Sequence, residues 1–230
     1  MTREIVIDTE TTGLNHRLGD RIIEVACVEL YNHVSTGKTM QFYCFTEKKI
    51  EESAQKIHGL TNSFLSKFKT FQEQAQEFLD FIKNDTLIIH NADFDLGFLN
   101  NELKIMGAET IKNNIIDTVK LARKTLNTRI ANLDYLCKRM SIDLSKRSFH
   151  GALLDCHLLS EVYLELKGGR QSTLELGTNE KKEIHNKEKK IQLNNNIQKI
   201  VLTDNELMGH KKLISGLKNA LWNKVGYGQQ

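Results

Sequence analysis

Blocks of hydrophobic residues along the chain predict strands first and helices later. Predominantly apolar runs at 5–7, 21–30 and 39–45 predict three consecutive strands, an order that favours an antiparallel meander. Short apolar runs at 86–89 and 114–116 predict two more strands. Between and after them, apolar residues recur every three or four positions, as on one face of a helix. The pattern therefore predicts an α/β protein whose mixed sheet is flanked by helices.

Helices are predicted where this three-to-four spacing persists and where a start signal precedes it. Thr70 and Glu73 form the pattern of a capping box, which marks the start of a helix. The residues that follow, from Phe71 to Ile82, place their apolar side chains on one stripe. A strong amphipathic pattern also begins at Ala152. The predicted helices are 51–57, 71–82, 94–106, 118–125, 132–140 and 152–166.

The composition of the chain changes after about residue 166. Asn, Lys and Glu dominate residues 178–198, where few apolar side chains occur, and this is typical of a solvated tether. We therefore predict a globular domain over 1–168, a flexible linker over 169–202 and a helical segment over 203–230.

The terminal segment carries the signals of one more amphipathic helix. Thr203 and Glu206 form a second capping-box pattern. A single apolar seam on a segment too short to make its own core is typical of docking on a partner, although the helix could instead fold back on its own domain. The seam consists of Leu207, His210, Ile214, Leu217 and Leu221, and the helix closes with Trp222.

Length and charge narrow the class of protein. The chain has 230 residues, 40% hydrophobic and 27% charged, which suffices for one ordinary domain and an extension. A net charge of +3 permits nucleic-acid binding without requiring it. No apolar run approaches the roughly 18 residues of a membrane span, and residues 1–4 lead straight into a strand, so no membrane segment or signal peptide is predicted. The four scattered cysteines lack a C-x-x-C pair and are typical of reduced core residues in a cytoplasmic protein.

Asp8 and Glu10 are the first candidates for chemistry. They end an apolar strand two positions apart, so both side chains point to the same face. Two like charges about 4 Å apart repel by roughly 4 kcal/mol at an effective dielectric of about 20. A proton or a cation between them removes this cost, and oxygen ligands suit hard divalent ions such as Mg²⁺ or Mn²⁺. The alternative is a strand end with two solvated acids.

Two further acids are candidates for the same site. Asp95 follows a buried strand, at the end where sites in α/β proteins gather. Asp155 interrupts an apolar helix face and therefore requires a partner. Together with Asp8 and Glu10, these acids could hold two divalent cations that clamp the attacking and leaving oxygens of a phosphoryl displacement.

His150 is a candidate general base. It precedes Asp155 by five residues, a separation of about 140° around a continuous helix. The two side chains could not face one site from one helix, so His150 is predicted on the loop before the helix. An imidazole with an ordinary pKa of about 6.5 suits proton abstraction at neutral pH. The alternative is a surface or core histidine without a chemical role.

Three segments taken together resemble a known family. They keep their order between Ile5 and Tyr163, and their internal spacing resembles the three exonuclease motifs of the DEDD superfamily, in its histidine branch. Within that branch, the chain resembles the proofreading members that serve bacterial replicative DNA polymerases. The segments are Asp8-Thr9-Glu10-Thr11-Thr12-Gly13, His90-Asn91-Ala92-x-Phe94-Asp95 and His150-Gly151-Ala152-x-x-Asp155.

The resemblance implies a ribonuclease-H-like fold with a five-stranded mixed sheet, and a role for each motif residue. Asp8, Glu10 and Asp155 would bind two divalent cations, Mg²⁺ or Mn²⁺, next to the substrate. Asp95 would hold the second cation directly or through water, and His150 would deprotonate the attacking water. On the substrate side, Thr11 would receive the terminal 3′-hydroxyl, His58 would border the sugar or base, and Phe94 would support the second motif.

The reaction implied by this resemblance is release of 5′-mononucleotides from the 3′ end of single-stranded or frayed DNA. One departure is Ser53, which stands where the family has an acid that contacts substrate. Two alternatives stay open. An RNA-processing exonuclease of the same branch would have less need of a tether and docking helix. A non-catalytic nucleic-acid-binding scaffold would be expected to lose the acids, which are all present.

The resemblance also implies two protein partners. A segment after the nuclease domain resembles a peptide that binds sliding clamps, through Gln171, Leu174 and Leu176. The terminal segment resembles the part of these proteins that docks on the catalytic subunit of the replicative polymerase. The docking residues implied are Leu207, His210, Ile214, Leu217 and Trp222.

Overall fold

A single mixed sheet of five strands organises the first part of the chain in the computed structural model, which describes residues 2–145, 147, 149–169 and 203–216. The strand order is β3-β2-β1-β4-β5. The first three strands pair antiparallel, whereas β4 lies parallel to β1 and β5 parallel to β4. This confirms the predicted α/β class and the five-stranded mixed sheet. The strands are β1 (Arg3–Thr11), β2 (Ile22–Tyr31), β3 (Val34–Tyr43), β4 (Thr86–Ile89) and β5 (Ile115–Asp117).

The third strand begins five residues earlier than the apolar pattern predicts. Its first half is polar and exposed, because β3 is the edge strand and its outer residues pack on little. The turn before it explains why the strand starts there. Asn32 and His33 both have positive φ, 49° and 70°, as in the two-residue type I′ turn that matches the twist of a hairpin. The turn pairs Tyr31 with Val34 and so sets the register of the edge.

The predicted long helices are confirmed, and two short elements are additional. The capping box is present, since Glu73 accepts hydrogen bonds from the Thr70 N–H and hydroxyl at 2.8 Å and donates its own N–H to the Thr70 hydroxyl at 3.4 Å. The sequence pattern missed α2 and a 3₁₀ helix at His16–Leu18, because so few residues carry no periodicity. The α-helices are α1 (Glu52–His58), α2 (Asn62–Leu65), α3 (Phe71–Ile82), α4 (Ala92–Ile105), α5 (Thr118–Leu126), α6 (Leu133–Arg139), α7 (Ala152–Leu166) and α8 (Asp204–Gly216).

The two faces of β1 belong to two separate cores. Ile5 and Ile7 pack with residues of α3 and α4 on one face of the sheet. Val6 packs with residues of α6 and α7 on the other face. Because strand side chains alternate, Asp8 and Glu10 continue the face of Val6. Thr9 continues the face of Ile7. The end of β1 therefore sends polar groups into both layers.

A tight turn joins β4 to α4 and places an acid at the end of the sheet. Asn91 caps the helix in the left-handed conformation, with φ 63° and ψ 57°. The helix begins at Ala92, two residues before the predicted start at Phe94. Asp95 therefore lies in the first turn, directly beyond the end of β4.

The chain divides into two compact units, Met1–Leu176 and Gly177–Gln230. The described part of the second unit contains α8, whose predicted capping box is present. The Thr203 N–H donates to the Glu206 carboxylate at 2.9 Å, and the Glu206 N–H donates to the Thr203 hydroxyl at 3.4 Å. No helix within the described ranges is long and apolar enough to cross a membrane.

Candidate active site

Four carboxylates from three segments lie together at the end of the sheet. Asp8 and Glu10 project from β1, and Asp95 and Asp155 lie in the first turns of α4 and α7. Thr9 fixes Asp95 to β1, because its hydroxyl donates to the Asp95 carboxylate at 2.6 Å. Both Asp95 and Asp155 are buried. The structure thus brings together the four acids that the sequence singled out.

A cleft of about 240 Å³ opens over this cluster. Asp8 and Asp155 lie at its base, and His150 lines it from the loop before α7. Its remaining walls come from the start of α6, from the end of β4 and from the 147–150 loop.

The acids raise one another's pKa. Burial and then the charges of Asp95 and Glu10 raise the pKa of Asp8 well above its ordinary value. Burial and then Glu24 raise the pKa of Glu10 to about 8. Burial raises the pKa of Asp95 to about 7, against the opposing effect of the Thr9 hydrogen bond. The cluster therefore carries negative charge that protons or cations must neutralise.

Glu24 is a fifth acid in this cluster, and the sequence analysis missed it. It lies on β2 directly opposite Glu10 and is buried. Its carboxylate accepts hydrogen bonds from Gln41 Nε2 at 2.7 Å and from the Ala152 N–H at 3.4 Å. Burial raises its pKa. The signal in the sequence was a single acid inside the apolar run Ile22-Ile23-Glu24-Val25-Ala26.

Arg147 is the second residue that the sequence analysis missed. Its guanidinium donates to both oxygens of Asp155, through Nε at 2.7 Å and Nη2 at 2.6 Å. It also pairs with Asp134 at the start of α6, and Nη2 lies 3.1 Å from Nδ1 of His150. The requirement that a buried Asp155 have a partner was the available signal, and Arg147 supplies that partner.

His150 lies on the loop before α7, as its spacing from Asp155 predicts. Its side chain is 47% exposed. Its backbone N–H donates to the carbonyl of Ile57 at 3.0 Å. Burial and then the charge of Arg147 lower the pKa of His150, against the opposing charge of Asp155. A lowered pKa leaves the imidazole neutral and able to accept a proton near pH 7.

The three residues predicted to contact substrate lie at the edges of the same region. Thr11 is buried and its hydroxyl donates to the carbonyl of Gly13 at 2.6 Å. His58 is also buried; its Nδ1 accepts from the Leu60 N–H at 3.0 Å, and its Nε2 has no well-aligned partner among the described residues. Phe94 is half-buried in the first turn of α4, beside Asp95.

The residues predicted to bind protein partners lie mostly outside the described ranges. Gln171, Leu174, Leu176, Leu217 and Trp222 are among the residues that the structure does not describe. Leu207 and His210 lie on exposed positions of α8, and Ile214 belongs to the same helix. Their role stays a prediction.

The donor set of the cleft fits divalent cations. Glu10, His150 and Asp155 each offer one ligand atom, and these atoms lie within 4.8 Å of one another. Within the described residues, no other group of His, Cys, Asp or Glu side chains meets this criterion. A site dominated by carboxylate oxygens with uncompensated charge favours hard cations over soft ones.

Comparison with known proteins agrees with this geometry. A family model described as "Exonuclease" matches residues 5–163. The chain is 42% identical over 221 residues to DNA polymerase III subunit epsilon of Rickettsia conorii, covering 93% of this chain and 95% of the relative. It is 42% identical over 180 residues to the subunit of the same name from Escherichia coli K12, covering 75% of this chain and 74% of that protein.

Solved structures with less sequence similarity share the fold. Exonuclease X in complex with 5′-overhanging duplex DNA gives a TM-score of 0.56 at 21% identity, covering 71% of this chain and 90% of the other. The nuclease domain of 3′hExo, a DEDDh family member bound to rAMP, gives a TM-score of 0.63 at 18% identity, covering 72% and 92%. The chain therefore belongs to the exonuclease family, together with the epsilon subunits of bacterial DNA polymerase III.

Proposed function

We propose that this chain is a metal-dependent 3′-to-5′ exodeoxyribonuclease that proofreads for a bacterial replicative DNA polymerase. One observation carries the proposal, in a chain whose relatives include polymerase III epsilon subunits. Asp8, Asp155 and His150 line one cleft, and an oxygen of Glu10 lies within 4.8 Å of ligand atoms of Asp155 and His150. Replication takes place in the bacterial cytoplasm, and we propose that the protein acts there.

The acids of the cleft are proposed to hold two divalent cations, Mg²⁺ or Mn²⁺. Asp8, Glu10 and Asp155 would be direct ligands, and Asp95 would hold the second cation directly or through water. Such a pair supplies Lewis acids that stabilise the attacking and leaving oxygens of a phosphoryl displacement. The raised pKa values of Glu10 and Asp95 support this role, because burial makes their charged forms unfavourable unless a cation lies beside them.

His150 is proposed as the general base. It takes a proton from a water molecule, whose oxygen attacks the terminal phosphodiester. The bond from phosphorus to the 3′ oxygen of the preceding nucleotide then breaks, this oxygen takes up a proton from solvent to become the new 3′-hydroxyl, and a 5′-mononucleotide leaves. The exposed imidazole and its lowered pKa support this role, since the ring is accessible and neutral.

The substrate is proposed to be a single-stranded or frayed DNA 3′ end. Thr11 and its backbone would receive the 3′-hydroxyl, His58 would border the terminal sugar or base, and Phe94 would support the second motif. A mispaired end reaches a narrow cleft at lower unstacking cost than a paired end, and this difference gives selectivity for errors.

Two protein partners complete the proposal. The terminal segment, 203–230, would dock on the catalytic subunit of the polymerase, and residues 169–202 would link it to the nuclease domain. Leu207, His210, Ile214, Leu217 and Trp222 would form the docking seam. Within the linker, Gln171, Leu174 and Leu176 would bind a sliding clamp.

Degradation of end-labelled oligonucleotides by the full chain tests the nuclease assignment. Single-stranded DNA is expected to shorten from its 3′ end in Mg²⁺ or Mn²⁺ and to release 5′-mononucleotides. The double variant Asp8→Ala with Glu10→Ala is expected to abolish this, whereas Glu77→Ala, on the exposed face of α3, is the matched control. Unchanged degradation by the double variant would mean that the chain is not this enzyme.

Three further measurements separate the roles within the proposal. His150→Gln is expected to lower kcat about 10²–10⁴-fold, the usual contribution of a general base. RNA of the same sequence is expected to be degraded with lower kcat/KM than DNA, and the opposite order would favour RNA processing. Co-elution with the replicative polymerase is expected to vanish when residues after Leu176 are removed.

A further inference from the structure

Arg147 is a charged residue of the cleft to which the proposed reaction gives no role. Its side chain is only 7% exposed, and all of its described partners belong to the site or its rim. Nε and Nη2 each engage a different oxygen of Asp155, at 2.7 and 2.6 Å. Such a bidentate pair is the strongest geometry available to an arginine and a carboxylate. The protein has therefore placed a cation of its own on a proposed metal ligand.

The charges around Arg147 explain why it is there. Five acids form the cluster beside the cleft, and within the described residues Arg147 is the only lysine or arginine that forms a salt bridge with any of them. Its charge also opposes the rise in the pKa of Glu10. Arg147 thus reduces the self-repulsion of the cluster. A divalent cation bound to Asp155 would meet the guanidinium at close range, so the two positive groups cannot share the carboxylate without repelling one another.

The contact between Arg147 and His150 adds a second consequence. A guanidinium can only donate hydrogen bonds, so Nδ1 of His150 accepts at 3.1 Å and the ring proton lies on Nε2. The lone pair of the imidazole, which a general base needs, is then directed at Arg147. While Arg147 holds this position, the carboxylate of Asp155 and Nδ1 of His150 both accept hydrogen bonds from its guanidinium.

We propose that Arg147 is a positioning residue that holds Asp155 and His150 together before metal binds, and that divalent cations compete with its guanidinium for Asp155. The inference rests on the proposed metal-binding role of Asp155. Asp134 gives Arg147 a second anchor at the rim, with a side chain that is 52% exposed. If a cation bound Asp155, the guanidinium would leave that carboxylate and stay paired with Asp134. Nδ1 of His150 would then be free to accept a proton.

Binding of Mn²⁺ to the full chain, measured by titration calorimetry, tests the competition without relying on activity. Arg147→Met removes the charge and is expected to bind Mn²⁺ at least tenfold more tightly than the wild type. Arg147→Lys keeps the charge but loses the two parallel hydrogen bonds of the guanidinium, and its affinity for Mn²⁺ is expected to lie between those of Arg147→Met and the wild type. Arg123→Met, at an exposed position of α5, is the control and is expected to match the wild type.

Thermal unfolding in EDTA provides the second measurement. Metal-free Arg147→Met is expected to unfold at a lower temperature than the wild type and to gain more stability from saturating Mn²⁺. If Arg147→Met folds only with metal, the comparison of Arg147→Lys with the wild type carries the test. If both variants bound Mn²⁺ no more tightly than the wild type, the inferred role of Arg147 would be overturned, while the proposed function would stand. A wild type that binds no Mn²⁺ would overturn the proposed function and this inference with it.

Discussion

The charge on Glu10 makes the stability of the metal-free protein depend on pH. Burial and then Glu24 raise the pKa of Glu10 to about 8, from an ordinary value of 4.5. Between these values the folded state holds a proton that the unfolded state has lost, so the free energy of unfolding falls as pH rises. One pKa unit corresponds to about 1.4 kcal/mol, and the curve flattens near pH 8. The loss expected from Glu10 between pH 6 and pH 8 is therefore about 2 kcal/mol.

Urea unfolding in EDTA, followed by circular dichroism at pH 6 and pH 8, measures this loss. Glu10→Gln cannot titrate, so its stability is expected to fall by about 2 kcal/mol less than that of the wild type over the same interval. The histidines are common to both proteins and cancel in the comparison. Glu77→Gln, which removes an exposed acid, is expected to follow the wild type.

An identical pH dependence in the wild type and in Glu10→Gln would refute the reasoning, because the proton would then reside elsewhere. Metal gives an independent check on the same charge. Added Mg²⁺ is expected to stabilise the wild type more at pH 8 than at pH 6, since the cation must displace protons from the cluster at the lower pH.

Two more substitutions probe how the site is held. Thr9→Val removes the hydroxyl that donates to the buried Asp95, and hydrogen bonds to charged groups contribute about 1.5–3 kcal/mol. The Mg²⁺ concentration for half-maximal nuclease activity is expected to rise roughly tenfold, the equivalent of 1.4 kcal/mol, while Thr9→Ser restores it. Gly13→Ala would place a Cβ 2.6 Å from the Asp20 carboxylate and is expected to cost about 1–3 kcal/mol in urea unfolding. Gly209→Ala, whose Cβ meets nothing within 4 Å, is expected to leave unfolding of the first unit unchanged.

The sequence predicts where the central acids lie because each one belongs to an element with a fixed period. Asp8 and Glu10 share a face through the two-residue repeat of a strand. His150 falls outside the helix that carries Asp155, and the observed start of α7 at Ala152 agrees. In each case the argument uses distances along one segment, so it needs no knowledge of which segments become neighbours.

Glu24, Arg147 and Thr9 were missed because their roles depend on neighbours from other segments. Glu24 faces Glu10 only through the register of β1 against β2, and a shift in that register lies between Glu10 and Thr11. Arg147 lies outside the helices and strands, so no repeating pattern in the sequence predicts that it contacts Asp155. Thr9 contacts Asp95 across two elements that are 86 residues apart in the chain.

The alternation of faces along β1 limits how this gene can vary. A single inserted or deleted codon between Ile5 and Asp8 would turn every following side chain of the strand to the opposite layer, carrying both acids into the packing of α3 and α4 and exposing apolar groups to the cleft. A substitution at one position disturbs the contacts of one side chain. An insertion or deletion instead moves each later side chain of the strand to the other face of the sheet. We therefore expect a change in the length of this strand to be more damaging than most substitutions within it.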